Sequence, residues 1–253
     1  MSSFSLLGRR AVVTGASRGI GAAIARAYAA AGADLVLVGR DARRLEPVVD
    51  EVSSLGRRAV SIEADVSHPP DVARLASEAE RVLGPIDVLV NNAGGSEIYR
   101  RAELITDDEW EAVIGVNLRG TFTCCREFGR RMIERGSGRI VNIVSIGARA
   151  GLPRLAPYCA AKAGVEGLTR ALAVEWAPHG VLVNAIGPAF VETDLTQGLR
   201  ENERIRDSLI AQTPLGRFGL VDEMTGAAVF LASEASRYVT GQTIYVDGGW
   251  TAR

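Results

Sequence analysis

The sequence is poor in the residues from which disulfide frameworks and metal sites are built. Its 253 residues include three cysteines and two histidines, and two of the cysteines, Cys124 and Cys125, are adjacent. So few thiols cannot staple a fold of this length, and neither residue type shows the spacing of a metal-binding motif. We therefore expect reduced, structural thiols, and we predict that no metal ion is bound.

A strong charge of either sign is also missing. The 29 lysines and arginines are balanced by 30 aspartates and glutamates, which leaves a net charge of −1, and no block of basic residues occurs. Nucleic acids and anionic membrane surfaces are bound through clustered positive charge. We therefore predict no nucleic-acid or membrane partner and expect a small-molecule substrate.

Long apolar runs, linkers and repeats are absent as well. No stretch approaches the roughly 18 apolar residues of a membrane span, and the apolar part of the N-terminal MSSFSLLGRR is too short for a secretory signal. No Pro-, Gly- or Ser-rich tract interrupts the composition, and no internal repeat is visible. These features predict a cytoplasmic protein with one domain over residues 1–253.

What the sequence does contain is a regular alternation of strand-length apolar runs and amphipathic helical segments. Hydrophobic residues make up 47% of the chain, enough for one well-buried core. Near-continuous Val, Ile and Leu runs separated by helices indicate a parallel sheet that is covered on both faces. The pattern predicts an α/β fold, a doubly wound Rossmann-type domain with a seven-stranded sheet. The predicted strands are 11–14, 34–39, 59–62, 86–90, 139–145, 181–186 and 243–246.

A glycine-rich turn follows the first strand. The stretch TGASRGIG at 14–21 places glycines at 15, 19 and 21 and leads into an alanine-rich helix. Glycine allows a tight turn and close approach of the main chain to a phosphate, and a helix N-terminus favours an anion. The spacing differs from G-x-G-x-x-G, and an ordinary turn is the alternative interpretation. The position between a strand and a helix favours a dinucleotide site.

The end of the second strand bears on the choice of dinucleotide. An acidic residue at this place binds the ribose 2′-hydroxyl of NAD, whereas arginine suits the 2′-phosphate of NADP. Arg40 comes first here, and Arg18 in the glycine loop can approach the same phosphate. We therefore predict NADPH, with NADH as the less favoured alternative. The competing interpretation makes both arginines solvated surface residues and Asp41 a helix cap.

Polar residues also follow the third and fourth strands, at the edge where a parallel sheet binds its ligand. Asp65-Val66 ends one strand, and Asn91-Asn92-Ala93-Gly94 ends the other. Asp65 can accept a hydrogen bond from an adenine amino group, and the asparagine turn can contact adenosine. The alternative is that Asp65 only forms a turn before the helix predicted at 69–83.

Asn117 lies inside a helix predicted at about 107–135. Asparagine is disfavoured in a helix interior because its side chain competes for backbone groups. The position therefore predicts either a kink that frees the Asn117 carbonyl for a water or a satisfied polar contact with the next strand.

A candidate proton-transfer group lies between Ser145 and Lys162. In a helix from Pro157 onward, Tyr158 and Lys162 are four residues apart and share one face. A phenol with a pKa of about 10 holds its proton too tightly for acid and base catalysis near neutrality. An ammonium at about 4 Å contributes roughly 4 kcal/mol, which predicts a lowered pKa for Tyr158. The alternative is a buried serine beside an ordinary helical tyrosine and lysine.

Taken in order, these motifs resemble those of the short-chain dehydrogenases/reductases over essentially the whole chain. The resemblance extends to 3-oxoacyl-carrier-protein reductases and to gluconate and sugar-alcohol dehydrogenases. The matching features are TGASRGIG at 14–21, Asp65, NNAG at 91–94, Asn117, Ser145, YCAAK at 158–162, GPAFVETDL at 187–195 and GQTIYVDGGW near the C-terminus.

The resemblance implies an NADP(H)-dependent oxidoreductase that interconverts a ketone and a secondary alcohol. Tyr158 is then the general acid/base, and Ser145 orients the substrate. Lys162 lowers the phenol pKa and binds the nicotinamide ribose, while Asn117 holds a water of the proton relay. The expected cofactor contacts are Gly15, Ser17, Arg18, Gly19, Ile20, Gly21, Arg40, Asp65, Val66, Asn91, Ala93, Gly94, Tyr158, Lys162, Pro188, Ala189, Val191 and Thr193.

The resemblance also implies a substrate side and an assembly. The expected substrate contacts are Ser96, Gly147, Leu152 and Leu155, with a lid at about 189–212 whose last part is a charge-rich helix. Related chains form homotetramers, in which the segments 107–135 and 157–177 and the C-terminal GGWTAR lie near interfaces.

Departures from the family pattern leave alternatives open. Ala189 replaces a glycine that relatives commonly have after the proline, which predicts local strain if the position needs a positive φ. Carrier-protein reductases have docking arginines at the positions that match Gly136 and His179. The alternatives are an NAD-dependent sugar-acid or polyol dehydrogenase, a 3-oxoacyl-carrier-protein reductase, and a cofactor-binding regulator without turnover. All four relay positions are filled, which disfavours the regulator.

Overall fold

The computed structural model describes residues 2–252 and contains one seven-stranded sheet in which every strand pairing is parallel. The strand order is β3-β2-β1-β4-β5-β6-β7. The strands are β1 (Arg10–Thr14), β2 (Asp34–Gly39), β3 (Ala59–Glu63), β4 (Val88–Asn91), β5 (Gly138–Ile143), β6 (Val181–Pro188) and β7 (Thr243–Val246). The prediction of a doubly wound, Rossmann-type fold with seven parallel strands is confirmed.

Nine α-helices are found in the described part of the chain. They are α1 (Gly19–Ala30), α2 (Glu46–Ser54), α3 (Pro69–Leu83), α4 (Asp107–Ile114), α5 (Gly120–Arg135), α6 (Ala156–Trp176), α7 (Gln197–Glu201), α8 (Glu203–Ala211) and α9 (Thr225–Ala232). The predicted helix at 69–83 is confirmed. The helix predicted at about 107–135 is confirmed in its bounds, and a π-helical segment, Gly115–Arg119, connects α4 to α5 within it.

Helices cover both faces of the sheet because successive strand residues point to opposite sides. In β1, Ala11 and Val13 are fully buried in a core formed with α1, α2 and α9. Val12 is buried on the other face, in a second core formed with α3, α5 and α6. This two-sided burial explains why the strands read as continuous apolar runs in the sequence.

The order in which the chain adds strands to the sheet reverses between β1 and β4. The chain moves outward from β1 through β2 to β3 and then returns to place β4 on the other side of β1. In open parallel sheets the crevice at such a point, beyond the carboxyl ends of the strands, is where ligands bind. The glycine loop after β1 and the asparagine turn after β4 meet at this crevice.

The cysteines, the helices and the potential metal ligands are described over residues 2–252. The three cysteines are free, and Cys124 and Cys125 are buried. None of the helices between residues 2 and 252 combines the length and apolarity that a membrane crossing needs. Over the same residues, no group of three or more potential metal ligands comes together.

Candidate active site

The glycine loop presents an open helix N-terminus to the crevice. Gly15 and Gly19 have positive φ values of 64° and 57°, which glycine adopts without steric cost. Helix α1 begins at Gly19, with no side-chain cap at Arg18 and no acidic residue in its first turn. The main-chain amides of this turn are therefore available to an anion, and the helix dipole favours one.

Gly21 allows the glycine loop to lie against the turn after β4. A Cβ atom at Gly21 would lie 2.3 Å from the Gly15 carbonyl oxygen and 2.4 Å from Asn92 Nδ2. The Asn92 amide donates to the carbonyls of Thr14 and Gly15, at 3.0 Å each. Thr14 Oγ1 in turn accepts from the main-chain amides of Asn92 and Ala93, at 3.0 Å each. Thr14 and Asn92 thus fasten the two cofactor-side loops together.

Replacing Gly21 with alanine is expected to weaken NADPH binding by at least about tenfold, because the new methyl group would push the two loops apart. Gly226→Ala is the matched control, since nothing lies within 4 Å of a Cβ at that helical position. Titration of NADPH fluorescence measures both affinities. An unchanged dissociation constant for Gly21→Ala would show that the contact between the loops does not shape the site.

The Asn91 side chain points into the core. It is 4% exposed and donates to Asn142 Oδ1 at 2.9 Å and to Cys125 Sγ at 3.2 Å, inside the core. Neighbouring residues at a strand end point to opposite faces, so Asn92 faces the crevice while Asn91 does not. The Asn91 side chain is thus engaged in the core, and a cofactor contact at Asn91 stays a prediction. Thr14 was not singled out in the sequence, although it is a polar residue at a strand end.

Arg40 is an unpaired cation at the end of β2. It is exposed and makes no hydrogen bond or ion pair with any other residue between 2 and 252. Asp41 instead caps the short turn Ala42–Arg44 and accepts from the Arg43 amide at 3.1 Å. The hydrogen bond from the Arg43 side chain lowers the Asp41 pKa. The capping interpretation of Asp41 is confirmed, which leaves Arg40 free for a ligand.

Arg18 has a partner that the sequence did not suggest. Its Nη1 donates to Asp194 Oδ2 at 2.8 Å, across the mouth of the crevice. Both side chains are about two-thirds exposed, so solvent screens this pair strongly. Arg18 therefore links the glycine loop to the predicted lid, and a phosphate contact would require it to exchange this partner.

The turn after β3 is formed by the Asp65 side chain. Asp65 Oδ1 accepts from the Ser67 amide at 2.9 Å and from the Ser67 hydroxyl at 2.7 Å. The turn-forming interpretation of Asp65 is thus confirmed, and the adenine contact stays a prediction. Val66 is 6% exposed. It packs against α5, where a Cβ at Gly120 would lie 2.9 Å from the Val66 carbonyl oxygen.

Asn117 lies in the π-helical segment and braces the turn after β4. Its Nδ2 donates to the Gly95 carbonyl at 2.8 Å and to the Val113 carbonyl at 2.9 Å, while its Oδ1 accepts from the Gly95 amide at 3.0 Å. The predicted helix irregularity is confirmed, and such π-turns are frequent at functional sites. The Asn117 carbonyl accepts from the Thr121 hydroxyl at 2.8 Å. The relay water proposed for this carbonyl stays a prediction.

Helix α6 carries Tyr158 and Lys162 to the carboxyl end of β5. The helix begins at Ala156, with Pro157 in its first turn, where a missing amide hydrogen costs nothing. Lys162 is 4% exposed, and its Nζ donates to the Ile143 carbonyl at 2.8 Å. The same Nζ lies 5.6 Å from the centroid of the Tyr158 ring. The two side chains therefore share a face, as the spacing predicts.

Ser145 completes the group from the other side of Tyr158. It follows β5 and caps a short turn, and its Oγ accepts from the Gly147 amide at 3.1 Å. The Ser145 side chain also influences Tyr158, whose pKa it lowers. Because the Gly147 amide occupies an acceptor position on Oγ, the serine hydroxyl hydrogen remains available to a second partner.

The prediction that Lys162 lowers the Tyr158 pKa is wrong. Burial raises the pKa of Tyr158, and the influence of Ser145 offsets only part of that rise. Burial also lowers the pKa of Lys162 to about 8. The Lys162 amine donates to the Ile143 carbonyl and lies over the tyrosine ring, and burial is the largest influence on the phenol pKa. Tyr158 is therefore protonated near pH 7.

A cleft of about 110 Å³ joins these groups. Two residues of the lid segment that were not singled out, Leu195 and Thr196, also line it. The predicted residues that line it are Ile20, Gly94, Ser145, Tyr158, Lys162, Pro188, Ala189, Val191 and Thr193. The predicted substrate contacts Ser96, Gly147, Leu152 and Leu155 are not among the lining residues. Gly147 and Leu152 lie next to a lining residue, since a Cβ at Gly147 would be 3.5 Å from Ser145 Oγ and 3.3 Å from Leu152 Cδ1.

The segment after β6 forms the outer wall of the cleft. Val191 makes a parallel bridge with Gly219, and Glu192 donates its amide to the Gly219 carbonyl at 2.9 Å. Ala189 does not have a positive φ, so the alanine causes no backbone strain there. The predicted charge-rich helix is α8, which follows the five-residue helix α7.

The residues of the crevice fit a nicotinamide dinucleotide. Gly21 leaves a space that a side chain would fill, the α1 N-terminus is uncapped, and Arg40 has no acidic partner in residues 2–252. Gly94 lies between two relay residues, since a Cβ there would be 2.5 Å from Asn117 Oδ1 and 3.4 Å from Lys162 Nζ. A pyrophosphate and a ribose can thus approach the main chain closely.

Comparison with known proteins agrees with this geometry. Residues 15–251 match a family model described as enoyl-(acyl carrier protein) reductase. The chain is 42% identical to gluconate 5-dehydrogenase of Gluconobacter oxydans over 250 residues, covering 98% of this chain and 96% of that one. It is 44% identical to the L-tagatose-forming galactitol 2-dehydrogenase of Cereibacter sphaeroides over 251 residues, covering 98% and 97%.

The fold is also that of a solved relative. The gluconate 5-dehydrogenase of Burkholderia cenocepacia, crystallised with NADP and tartrate, superposes with a TM-score of 0.95 at 40% identity. The similarity covers 99% of this chain and 98% of that one. With matching motifs, fold and near-complete coverage, the chain belongs to the short-chain dehydrogenases/reductases, the NAD(P)-dependent enzymes that interconvert ketones and secondary alcohols.

Proposed function

We propose that this enzyme prefers NADP(H) and that Asn117, Ser145, Tyr158 and Lys162 perform its reaction. The observation that carries the proposal is the meeting of Tyr158, Ser145 and the buried Lys162 at one cleft. The unpaired Arg40 at the ribose end supports the choice of NADP(H). We further propose that the chain acts as one dinucleotide-binding domain with a lid at 189–212.

The proposed mechanism assigns one task to each side chain. When bound, the nicotinamide supplies or accepts the hydride. Tyr158 Oη donates a proton to the substrate oxygen during reduction, for which its raised pKa keeps it protonated. Ser145 Oγ donates a second hydrogen bond to the oxygen as negative charge develops. Lys162 holds its position through the Ile143 carbonyl and binds the nicotinamide ribose, and Asn117 fixes Gly95 beside them.

We infer that the substrate is a polyhydroxylated ketone or alcohol, with sugar acids and polyols as the leading candidates. The named relatives act on gluconate and galactitol, and one of them binds tartrate, another hydroxy acid. An NAD-dependent enzyme for the same substrates is the alternative that differs only in its cofactor.

A carrier-protein substrate is less well supported. Gly136 stands where docking is expected, and it ends α5 in a left-handed conformation with φ 76°. A Cβ at Gly180 would lie 2.3 Å from the Gly136 carbonyl oxygen. The close packing of these two turns therefore accounts for the glycine at position 180. An arginine at position 136 would be strained, and position 179 holds histidine where the second docking arginine is expected.

A substrate panel tests the proposal. NADPH oxidation is measured with keto-sugars, keto-aldonates, β-keto esters and diketones, and NADP reduction with aldonates and alditols. We expect turnover with polyhydroxylated compounds and little with β-keto esters. Tight NADPH binding without turnover of any compound would favour a non-catalytic regulator, and a preference for β-keto esters would favour the carrier-protein reductase.

We also propose a homotetramer in the cytoplasm. Exposed hydrophobic side chains lie on the helices expected at the interfaces: Trp110 on α4, Phe122 on α5 and Val174 on α6, with exposed fractions of 40%, 41% and 80%. Two isologous interfaces on each chain produce a tetramer with 222 symmetry. Of the C-terminal GGWTAR, Arg253 lies outside the described residues, and Trp250 is 7% exposed.

Light scattering is expected to give a mass of about four chains, because these apolar faces lose their contact with water on assembly. Replacing Phe122 and Val174 with glutamate should shift the mass toward smaller species, whereas Tyr238→Glu on a fully exposed residue serves as the control. A stable parent species with the 26.8-kDa mass of one chain at micromolar concentration would exclude the tetramer.

A further inference from the structure

The turn that precedes helix α6 contains an arginine in a conformation that favours glycine. The Leu155 amide donates to the Leu152 carbonyl at 3.2 Å, which closes a turn with Pro153 and Arg154 at its centre. Arg154 has a φ of 68°, and it is the sole non-glycine residue with a positive φ between residues 2 and 252. Proline followed by a positive φ is the pattern of a type II turn, whose second central position normally holds glycine or asparagine.

This strained turn lies close in the chain and in space to two residues of the cleft, Tyr158 and Ser145. It is four residues before Tyr158 in the chain, and Leu152 lies against Gly147, beside Ser145 Oγ. The Arg154 carbonyl accepts from the Arg100 amide at 3.1 Å, which joins the turn to the loop that follows β4. Strain of this kind persists where the surrounding structure holds it in place, and it is concentrated at functional sites.

The Arg154 guanidinium differs from the other cations of these two loops. Arg100 pairs with Glu109 at 3.0 Å, Arg101 pairs with Glu103, and Arg149 pairs with Glu166 at 3.3 Å. Arg154 has no acidic partner in the described part of the chain. Its guanidinium carbon instead lies 5.4 Å from the centroid of the Tyr99 ring.

Contact with an aromatic face leaves a guanidinium able to bind an anion. The ring restrains the side chain, while the N–H groups in the guanidinium plane remain free to donate. A carboxylate matches this planar pair of donors in a bidentate geometry that neutral hydroxyl groups cannot reproduce. The strained main chain and the unpaired side chain thus favour the same class of ligand.

We propose that Arg154, restrained by Tyr99, binds the carboxylate of the substrate and makes this enzyme select sugar acids over neutral polyols. This inference rests on the proposed function, because it assigns a residue and a substrate class to the same site. Arg154 acts on substrate binding and takes no part in the proton transfer at Tyr158.

The test compares an aldonate with the alditol of the same carbon skeleton, such as gluconate and glucitol, with NADP as oxidant. We expect Arg154→Gln to lower kcat/KM for the aldonate by about 10- to 100-fold, mainly through KM, because a charge-assisted contact is lost. The alditol value should change by less than about twofold. Arg101→Gln is the matched control, since Arg101 is already paired with Glu103 and should leave both values unchanged.

A second variant separates the turn from the charge. Arg154→Gly gives the left-handed position its preferred residue, so its thermal midpoint should equal or exceed that of the parent, while the aldonate preference is lost. Retention of the aldonate preference in either variant would overturn the inference. Equal losses for aldonate and alditol would also overturn it, because they would show a structural role.

The outcomes distinguish this inference from the proposed function. A parent enzyme that oxidises alditols, or reduces neutral ketones, without discriminating in favour of aldonates refutes the role of Arg154 and leaves the oxidoreductase standing. A parent that binds NADPH and turns over no compound of the panel refutes the proposed function itself.

Discussion

Tyr158→Phe is expected to abolish turnover while it leaves NADPH binding nearly unchanged. The substitution removes the hydroxyl group that delivers the proton and retains the ring that packs beside Lys162. General acid catalysis contributes about 10²- to 10⁴-fold, and the loss should appear in kcat and in kcat/KM together. Steady-state rates with the best substrate of the panel, and an NADPH titration of the same preparation, measure the two effects.

The control for this prediction is another tyrosine to phenylalanine change. Tyr238 is fully exposed, so Tyr238→Phe should retain the parent rate. Residual activity of Tyr158→Phe above a few per cent of the parent would mean that another group supplies the proton. A large loss of NADPH affinity would mean that the phenol also holds the cofactor.

The second large effect is a change of cofactor preference in Arg40→Asp. The parent should prefer NADPH over NADH by about tenfold to a thousandfold in kcat/KM, because each charge-assisted bond to the 2′-phosphate contributes about 1.5–3 kcal/mol. The exposure of Arg40 favours the lower part of that range. Aspartate should erase or reverse the preference, since it repels the phosphate and accepts from the 2′-hydroxyl of NADH.

Arg40→Met divides this effect into its two parts. Methionine removes the attraction without adding repulsion, so its preference should lie between those of the parent and Arg40→Asp. Arg18→Met should have a smaller effect, because Arg18 must first leave Asp194. Equal kcat/KM values for both cofactors in the parent would show that Arg40 faces solvent and that main-chain groups bind the ribose instead.

Much of the fold was predictable because local sequence patterns encode it. Continuous apolar runs identify strands that are buried on both faces, and six of the seven predicted strands begin within one residue of the observed positions. The fourth begins two residues later than predicted, at Val88. The glycine loop, Asn117 and the Tyr158 to Lys162 spacing were likewise visible, because each depends on backbone freedom or helical periodicity within a few residues.

Properties that depend on contacts between distant segments were not predictable. The packing of β4 between β1 and β5 decides which of Asn91 and Asn92 faces the crevice. Thr14 forms hydrogen bonds with Asn92 and Ala93, which are 78 and 79 positions away in the sequence. The pairing of Arg18 with Asp194 joins positions separated by 176 residues. No sequence spacing specifies such partners.

The sequence by itself determined which chemical groups this enzyme carries and which strand or helix carries each of them. The tertiary structure alone decided their electrostatic state: burial raises the pKa of Tyr158, while the Lys162 amine donates to the Ile143 carbonyl. It also decided that Arg154 is strained and unpaired beside Tyr99. The physical reason is that patterns along a chain reflect local conformation, whereas desolvation and ion pairing depend on every atom within a few ångströms, whatever its position in the sequence.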